Sequence, residues 1–119
     1  MADHATLARM FRDIDARDAD AFVRWLTDDV VFQYGNWPAA EGRDATREVV
    51  AQFFAGIAGL AHELTGFWEC GDVTVCRLSV TYTRQDGRTL TLPAANILRY
   101  RGEQICDYRI YIDSSPLFA

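Results

Sequence analysis

The second half of the chain contains four long strand-like runs, and this pattern restricts the fold more than any other feature of the sequence. The runs cover about 62–70, 73–84, 88–100 and 104–113, and short turns that contain a glycine separate them. The turn at Asp86-Gly87 carries the strongest hairpin signal. The pattern predicts an antiparallel meander, and strands of this length must twist and are expected to curve.

One residue interrupts the third run. Pro93 lies inside it, where the neighbouring residues have strand character. Because proline has no N–H to donate to an adjacent strand, we expect a bulge or an edge position there.

The first thirty residues predict two helices. In 5–17 the apolar side chains follow helical spacing, and Thr6 can act as the N-cap. Asp18 can cap a second, short helix. This helix is expected to end at 27–29, after an apolar face formed by Phe22, Trp25 and Leu26.

A strand and a third helix follow. Val30 to Tyr34 is β-branched and aromatic, which predicts a strand. The segment 35–38 breaks it, and 39–43 is expected to be a loop. Asp44 can cap the third helix, and Gly56 and Gly59 mark its end. The apolar stripe of this helix consists of Val49, Val50, Phe53, Phe54 and Ile57.

These elements predict a single α+β domain over 1–119, with three N-terminal helices packed on a curved, mainly antiparallel sheet. Half of the residues are hydrophobic, which is enough for a packed core. A domain of this size buries a smaller fraction of its surface than a large one, so a homodimer that covers the remaining apolar surface is expected.

The charged and metal-binding residues exclude several classes of function. The formal net charge is −5 and all twelve basic residues are arginines, so no nucleic-acid surface is expected. Without lysine there is no Schiff base and no Walker-type phosphate loop. Two histidines and three cysteines lack the spacing of a zinc site, and we expect neither a metal nor a cofactor.

The cysteines and the hydropathy pattern suggest a cellular location. The odd number of cysteines predicts reduced thiols and a cytoplasmic protein. The beginning of the sequence is polar, and no apolar run approaches the roughly 20 residues that cross a bilayer. We therefore expect no signal peptide and no membrane contact.

Alternation along a strand assigns its side chains to two faces. In 73–84, one face carries Val75, Arg77, Ser79 and Thr81, and the other carries Cys76, Leu78, Val80 and Tyr82. In 104–113, one face carries Cys106, Tyr108, Ile110 and Ile112. One face of the sheet is expected to pack on the helices. The other is expected to expose Leu78, Val80 and Tyr82 as the dimer surface.

Several short motifs occur in a fixed order along the chain. They are Leu26-Thr-Asp-Asp-Val-Val-Phe, Glu41-Gly-Arg-Asp-Ala, His62 through Trp68, Gly71-Asp72-Val73, Thr81-Tyr-Thr-Arg with Asp86-Gly87, and Tyr108-Arg-Ile-Tyr-Ile-Asp. Together they resemble the NTF2-like superfamily, in its SnoaL-like branch with a cystatin-like fold. The resemblance implies a cone-shaped fold with a deep apolar cavity and frequent dimerisation through the sheet. It implies no single activity, because relatives include isomerases, epoxide hydrolases, polyketide cyclases, dehydratases and non-enzymatic binders.

The resemblance also allows a comparison with limonene epoxide hydrolase. Tyr34-Gly-Asn36 matches the Tyr-x-Asn pattern of that enzyme, and Arg77 matches the arginine of its Arg-x-Asp pattern. Ser79 and Ile110 stand where its two carboxylates belong. The groups that activate water and protonate the epoxide are therefore missing.

Ketosteroid isomerase is similarly unmatched. The resemblance implies a tyrosine in the first helix and an aspartate base at the end of the first strand, where this chain has Met10 and Tyr34. A proton shuttle needs a carboxylate with a tuned pKa beside the transferred proton, and the strands show no inward-facing pair of carboxylates.

Three residues are candidates for catalysis. His62 can act as a general base because imidazole titrates near neutral pH, or it can simply bond a neighbour at the start of a strand. Arg77 can hold a carboxylate, phenolate or enolate of the substrate, or be satisfied at the rim. Tyr108 can donate to a developing oxyanion, or serve only as an aromatic wall.

Eight residues are candidates for ligand binding. Tyr34 and Asn36 can orient a carbonyl or a water, although Asn36 also suits a tight turn. Trp37 is the candidate gate, and Asn96 needs a hydrogen-bond partner if it points inward. The remaining candidates are Phe53, Trp68, Ser79 and Ile110.

Two functions remain open. The first is a cofactor-independent isomerase, cyclase or dehydratase that acts on a small apolar molecule with one polar group. The second is a non-catalytic module for ligand binding or dimeric interaction. Arg77, His62 and Tyr108 around one empty point favour catalysis, whereas a pocket in which each is paired with protein favours binding.

Overall fold

The computed structural model describes residues 3–118. Its three α-helices all precede the four long strands of the second half of the chain. Helix α1 spans His4–Asp15, α2 spans Ala19–Val23 and α3 spans Arg43–Ala55. The strands are β1 (Leu26–Tyr34), β2 (Ala40–Glu41), β3 (Gly59–Cys70), β4 (Val73–Thr83), β5 (Thr89–Arg101) and β6 (Gln104–Ile112). A short 3₁₀ helix, Ser115–Phe118, follows β6.

The six strands form one sheet with the order β2-β1-β6-β5-β4-β3. All neighbours are antiparallel except β1 and β6, which run parallel. The predicted α+β class and the mainly antiparallel sheet are therefore confirmed. No helix within residues 3–118 has the length and apolar character needed to cross a bilayer.

Helix α1 forms where the apolar periodicity predicts it. Its buried stripe consists of Leu7, Met10, Phe11 and Ile14. The cap differs from the expectation, because Asp3 rather than Thr6 is the N-cap and its carboxylate accepts the Thr6 N–H at 2.8 Å. The cap of helix α3 also lies earlier than expected, by two residues, because Gly42 with φ 95° is the N-cap and Asp44 lies in the first turn.

The first strand is longer than predicted. Leu26 is fully buried and pairs with Ile105 of β6. Residues 26–29 therefore belong to β1, whereas the sequence predicted that 27–29 would end the second helix. Strand β2 was also not predicted, since 39–43 was expected to be a loop. It is a two-residue pairing of Ala40 and Glu41 with β1, and β3 likewise begins at Gly59 rather than at 62.

Pro93 occupies an edge-like position without a bulge. The β4–β5 register runs unbroken through the Ser79–Pro93 pair, so the expected bulge does not occur there. Pairing between β5 and β6 starts only at Ala94, which leaves Pro93 without a β6 partner on that side. The missing N–H of proline is therefore tolerated.

The two faces of β4 are separated as alternation predicts, but their environments are reversed. Leu78, Val80 and Tyr82 are buried beneath the helices, so the prediction that they form an exposed dimer surface is wrong. The opposite face, with Arg77 and Ser79, lies on the outside. The more apolar set faces the core because that removes more apolar surface from water.

Strand β6 departs from strict alternation at its beginning. A register shift against β5 between Arg99 and Tyr100 leaves Cys106 as an extra residue. Ile105 and Tyr108 are consequently both buried, although three positions separate them. Cys106 therefore does not share the face of Tyr108, contrary to the prediction.

Candidate functional site

A cavity lies between the concave face of the sheet and the helices. The volume that the centres of water molecules can occupy in this cavity is about 60 Å³. One water molecule needs roughly 10–15 Å³ by the same measure, so the cavity has room for more than one. Most of its wall is apolar, with Ile14, Phe22, Val50 and Phe54 from the helices and Leu78 and Val80 from β4. The few polar groups on this wall are therefore the ones that can orient a ligand.

Two tyrosines show how strongly the sheet curves. Tyr34 lies on β1 and Tyr82 on β4, and two strands separate them. Three strand spacings amount to about 14 Å in a flat sheet. The two hydroxyl oxygens nevertheless lie 2.9 Å apart across the cavity wall. The concave sheet thus brings polar groups from distant strands to one place.

Both hydroxyls of this pair are held in the neutral form. Burial raises the pKa of Tyr34, and hydrogen bonds to Tyr82 and Ser114 only partly counteract it. Burial also raises the pKa of Tyr82, and the nearby Tyr34 adds to the effect. Since one hydroxyl donates to the other, the pair keeps one O–H proton for a third group, so it can act as a hydrogen-bond donor but not as a base.

His62 on β3 is fixed by a carboxylate from α1. Its Nδ1 lies 2.6 Å from Asp15 Oδ1, and its backbone N–H donates to Asp15 Oδ2 at 3.0 Å. The side chains of His62 and Asp15 are 11% and 27% exposed. Phe11 stacks on the imidazole with ring centroids 5.0 Å apart. The ring is therefore held on both an edge and a face.

This arrangement selects the tautomer of His62. A carboxylate only accepts hydrogen bonds, so Nδ1 carries the proton that faces Asp15. The other nitrogen, Nε2, then has a free lone pair. Within residues 3–118 no hydrogen bond to Nε2 is found, and the ring forms part of the cavity wall. The pair has the geometry of a general base with an orienting carboxylate.

Asn96 and Tyr108 form the polar group at the other end of the cavity. Asn96 is 2% exposed, and its Nδ2 donates to the Tyr108 hydroxyl at 3.4 Å. Its Oδ1 is the one buried side-chain polar atom without a partner in the described part of the chain. Burial raises the pKa of Tyr108 well above its usual value, so this phenol stays protonated.

An aromatic cluster surrounds the mouth of the cavity. The Trp37 ring lies 4.9 Å from that of Tyr34 and 6.0 Å from that of Phe53, measured between centroids. Phe118 from the 3₁₀ helix covers the outer side of Trp37 at 5.8 Å. Trp37 and Phe53 line both the cavity and an outer groove, which supports the choice of Trp37 as the candidate gate.

Seven of the sequence-predicted site residues line this one cavity, and four do not. The seven are Tyr34, Trp37, Phe53, His62, Asn96, Tyr108 and Ile110. The structure places the other four, Arg77, Trp68, Ser79 and Asn36, away from it. Asn36 lies exposed in the turn after β1, as its alternative role in a turn requires.

Arg77 was predicted to face the cavity and instead lies on the outer face of the sheet. Its guanidinium donates to Thr65 Oγ1 at 3.1 Å and to the Thr65 carbonyl at 3.0 Å. It also lies 5.6 Å from the Trp68 ring, whose residue is 51% exposed. An unpaired cation is costly in an apolar cavity, and the outer face lets Arg77 stay in contact with water. Ser79 shares this face through alternation.

Two functional groups were not predicted from the sequence. Asp15 lies 47 positions before His62 along the chain, so no local motif joins them. The signal that could have found it is helical spacing, because Asp15 follows the buried Phe11 by four residues and so lies on the same side of α1. Tyr82 was expected to be exposed, which hid its pairing with Tyr34.

The described residues suggest no metal centre. Among residues 3–118, no three His, Cys, Asp or Glu side chains converge in a way that could hold a metal ion. The polar side chains that line the cavity are those of His62, Asn96, Tyr34, Tyr82 and Tyr108.

Comparison with known proteins gives a family and a fold. A family model described as SnoaL-like domain matches residues 7–108. A search among curated proteins finds no significant match.

Solved structures agree with this fold. A proposed SnoaL-like polyketide cyclase from Jannaschia sp. CCS1 is 18% identical, with a TM-score of 0.82 over 96% of this chain and 87% of that chain. A hypothetical protein with a ketosteroid isomerase-like fold from Catenulispora acidiphila DSM 44928, in complex with trimethylamine, is 18% identical, with a TM-score of 0.82 over 88% and 82%. An LEH-like epoxide hydrolase from M. tuberculosis is 14% identical, with a TM-score of 0.78 over 94% and 83%. At these identities the likeness concerns the fold alone.

Proposed function

The chain belongs to the SnoaL-like domain family, and on that basis we propose that it is a single-domain cytoplasmic protein that binds a small apolar molecule and moves a proton on it without a cofactor. The observation that carries this proposal is the Asp15–His62 pair, 2.6 Å apart at the cavity wall. A partly exposed carboxylate that fixes one imidazole nitrogen while the other stays free is the arrangement that general-base catalysis requires.

The sheet register supports a common reaction point for the base and a hydrogen-bond donor. His62 pairs with Val80, so Tyr82 is its diagonal neighbour on the same face of β4. Diagonal neighbours lie about 7–8 Å apart at their Cα atoms, within reach of long side chains. In the proposed arrangement Tyr34 donates to Tyr82, so the spare proton is on the Tyr82 hydroxyl, the neighbour of His62.

These groups suit proton transfer at a carbon beside a carbonyl. His62 Nε2 removes the C–H proton, the electron pair of that bond forms a C=C bond, and the π pair of the carbonyl moves to oxygen to give an enolate. The one spare O–H of the Tyr34–Tyr82 pair donates to the enolate oxygen, and the protonated His62 returns the proton to another atom of the ligand. Isomerisation, cyclisation and dehydration all begin with this step.

A hydrogen–deuterium exchange assay tests the proposal without knowledge of the natural substrate. Small cyclic ketones in D₂O exchange their acidic C–H protons, and we expect the protein to accelerate this exchange for members that fit the cavity. His62→Gln is expected to slow it by about 10²–10⁴-fold, the usual contribution of a general base. Proton NMR of the ketone measures the rate.

The chain offers a matched control, since it contains two histidines. His4 is exposed at the start of α1, and His4→Gln is expected to leave the exchange rate unchanged. Saturable ketone binding without accelerated exchange would support the second candidate, a non-catalytic ligand-binding module. That alternative is favoured by one observation, namely that the tyrosine hydroxyls are already paired with each other.

We propose that a second copy of the chain covers the outer face of the sheet, not the face predicted from the sequence. Trp68, Val75 and Ile97 are neighbours across β3, β4 and β5, and Tyr111 follows on β6. Trp68, Ile97 and Tyr111 are all exposed large side chains, which is typical of a surface that a partner covers.

The dimer has a direct test. Sedimentation velocity is expected to give twice the mass of one chain for the wild type and the mass of one chain for Ile97→Glu. Gln52→Glu, which introduces a carboxylate at an exposed position of α3 on the other side of the sheet, serves as the control and is expected to remain dimeric. A monomeric wild type at 100 µM would contradict this part of the proposal.

A further inference from the structure

Asn96 carries an unsatisfied hydrogen-bond acceptor inside an apolar cavity. Its Oδ1 has no partner in the described residues, although the residue is 2% exposed. Buried polar groups are almost always hydrogen-bonded, and one left alone costs stability. An Asn in the middle of β5, where an apolar residue would pack better, therefore needs an explanation from outside the protein's own contacts.

The neighbouring hydroxyl completes the group. Nδ2 of Asn96 donates to the Tyr108 oxygen at 3.4 Å, so the Tyr108 O–H proton remains available to another acceptor. Oδ1 of Asn96 and the Tyr108 O–H thus offer one acceptor and one donor side by side. A group that both donates and accepts a hydrogen bond satisfies both atoms, and a hydroxyl is the smallest organic group that does so.

We propose that Asn96 and Tyr108 form a subsite for a hydroxyl group, so that the ligand of the cavity is a phenol or ring alcohol whose hydroxyl enters first. This inference rests on the proposed ligand-binding function and names the substrate class for it. A carbonyl or an ether oxygen only accepts hydrogen bonds. Either group could accept from the Tyr108 O–H, but it would leave Oδ1 of Asn96 without a donor.

The subsite is separate from the catalytic base along the sheet. Asn96 pairs with Cys76, whereas His62 pairs with Val80, so four residues of β4 separate their positions. This corresponds to about 13 Å along the strand direction. The hydroxyl at Asn96 therefore anchors one end of the ligand, and the reacting carbon lies at the other end, near His62.

A set of probes that differ by one non-hydrogen atom tests the subsite by binding alone. We expect 4-ethylphenol to bind the wild type at least about tenfold more tightly than 4-ethylanisole or 4-ethylbenzaldehyde, because only the phenol satisfies the buried acceptor. Titrations followed by amide chemical shifts in NMR give the three affinities. Tighter binding of the aldehyde, or equal binding of all three, would overturn the proposal.

Variants of the subsite provide the second arm. The double variant Asn96→Leu with Tyr108→Phe removes both polar groups at nearly constant shape. We expect it to bind the phenol and the other two probes with about equal affinity. The same double variant is expected to unfold at a higher temperature than the wild type, because it contains no unsatisfied buried group. A retained phenol preference would contradict the assignment.

The control removes a hydroxyl of the Tyr34–Tyr82 pair, which is not part of the subsite. Tyr34→Phe leaves Asn96 and Tyr108 intact and is expected to keep the preference for the phenol. Probe binding is measured with compounds that His62 cannot deprotonate at carbon, so it is independent of the exchange assay. If the phenol preference holds while ketone exchange is absent, the subsite stands and only the proposed catalysis fails.

Discussion

Asp15→Asn is expected to abolish most of the proton-transfer activity while the protein stays folded. We expect the ketone exchange rate to fall by about 10²–10⁴-fold, as for the loss of a general base. The change is nearly isosteric, and the carboxylate is partly exposed, so the cost to folding is expected to be small. Proton NMR of the exchanging ketone and thermal unfolding of the same sample measure both properties.

The physical reason lies in the two contacts of the carboxylate. Asp15 Oδ2 accepts the backbone N–H of His62, and Oδ1 faces Nδ1 of the ring. In the variant the backbone N–H retains the one remaining oxygen, so the new NH₂ group faces Nδ1. An NH₂ group only donates, so Nδ1 must become the acceptor and the ring proton moves to Nε2. The lone pair then points away from the ligand.

Another carboxylate on the same helix is the control. Asp13 lies two residues before Asp15 and accepts a hydrogen bond from Trp25 Nε1 at 2.8 Å, outside the cavity. Asp13→Asn keeps an oxygen for that bond and is expected to leave exchange unchanged. If Asp15→Asn exchanges ketones at the wild-type rate, His62 does not act through the tautomer that Asp15 selects.

Phe22→Ala is expected to destabilise the protein by about 3–5 kcal/mol, the range for deleting a buried phenyl ring. Phe22 is 2% exposed and meets Tyr108 edge-to-face, with centroids 5.4 Å apart, and Phe32 at 6.1 Å. It therefore joins α2 to both β1 and β6. A loss of this size is a large part of the total stability of a small domain, and urea unfolding followed by circular dichroism measures it.

Phe118→Ala is the matched comparison, because the same atoms are removed from a ring that is 57% exposed. We expect that change to stay within about 0.5 kcal/mol of the wild type. A loss of less than about 1 kcal/mol for Phe22→Ala, below the range for a buried ring, would show that α2 does not pack on the sheet as described.

The sequence predicted the architecture because alternation and helical spacing are local. The four long runs appear as β3 to β6, and the apolar spacing near the N-terminus appears as α1. Alternation also separated the two faces of β4 correctly. It could not decide which face meets the helices, because both faces contain apolar residues and that choice depends on how the elements pack.

The candidate site was harder to predict because its contacts join distant parts of the chain. His62 and Asn96 were found as polar residues in apolar strands, which is a local signal. Asp15 and Tyr82 were missed because their partners lie 47 and 48 residues away. Arg77 was assigned to the cavity from a family pattern, whereas the cost of burying an unpaired cation points to the outer face.

The parallel contact between β1 and β6 has a consequence during synthesis of the protein. Leu26 meets Ile105, and Tyr34 meets Ile110, so the beginning and the end of the chain must find each other before the hollow closes. Contacts of such long sequence separation form slowly. On the ribosome β1 must therefore wait, unpaired on that edge, until β6 has left the exit tunnel. A stalled or truncated product that ends before β6 would expose the lining of the hollow and is expected to aggregate.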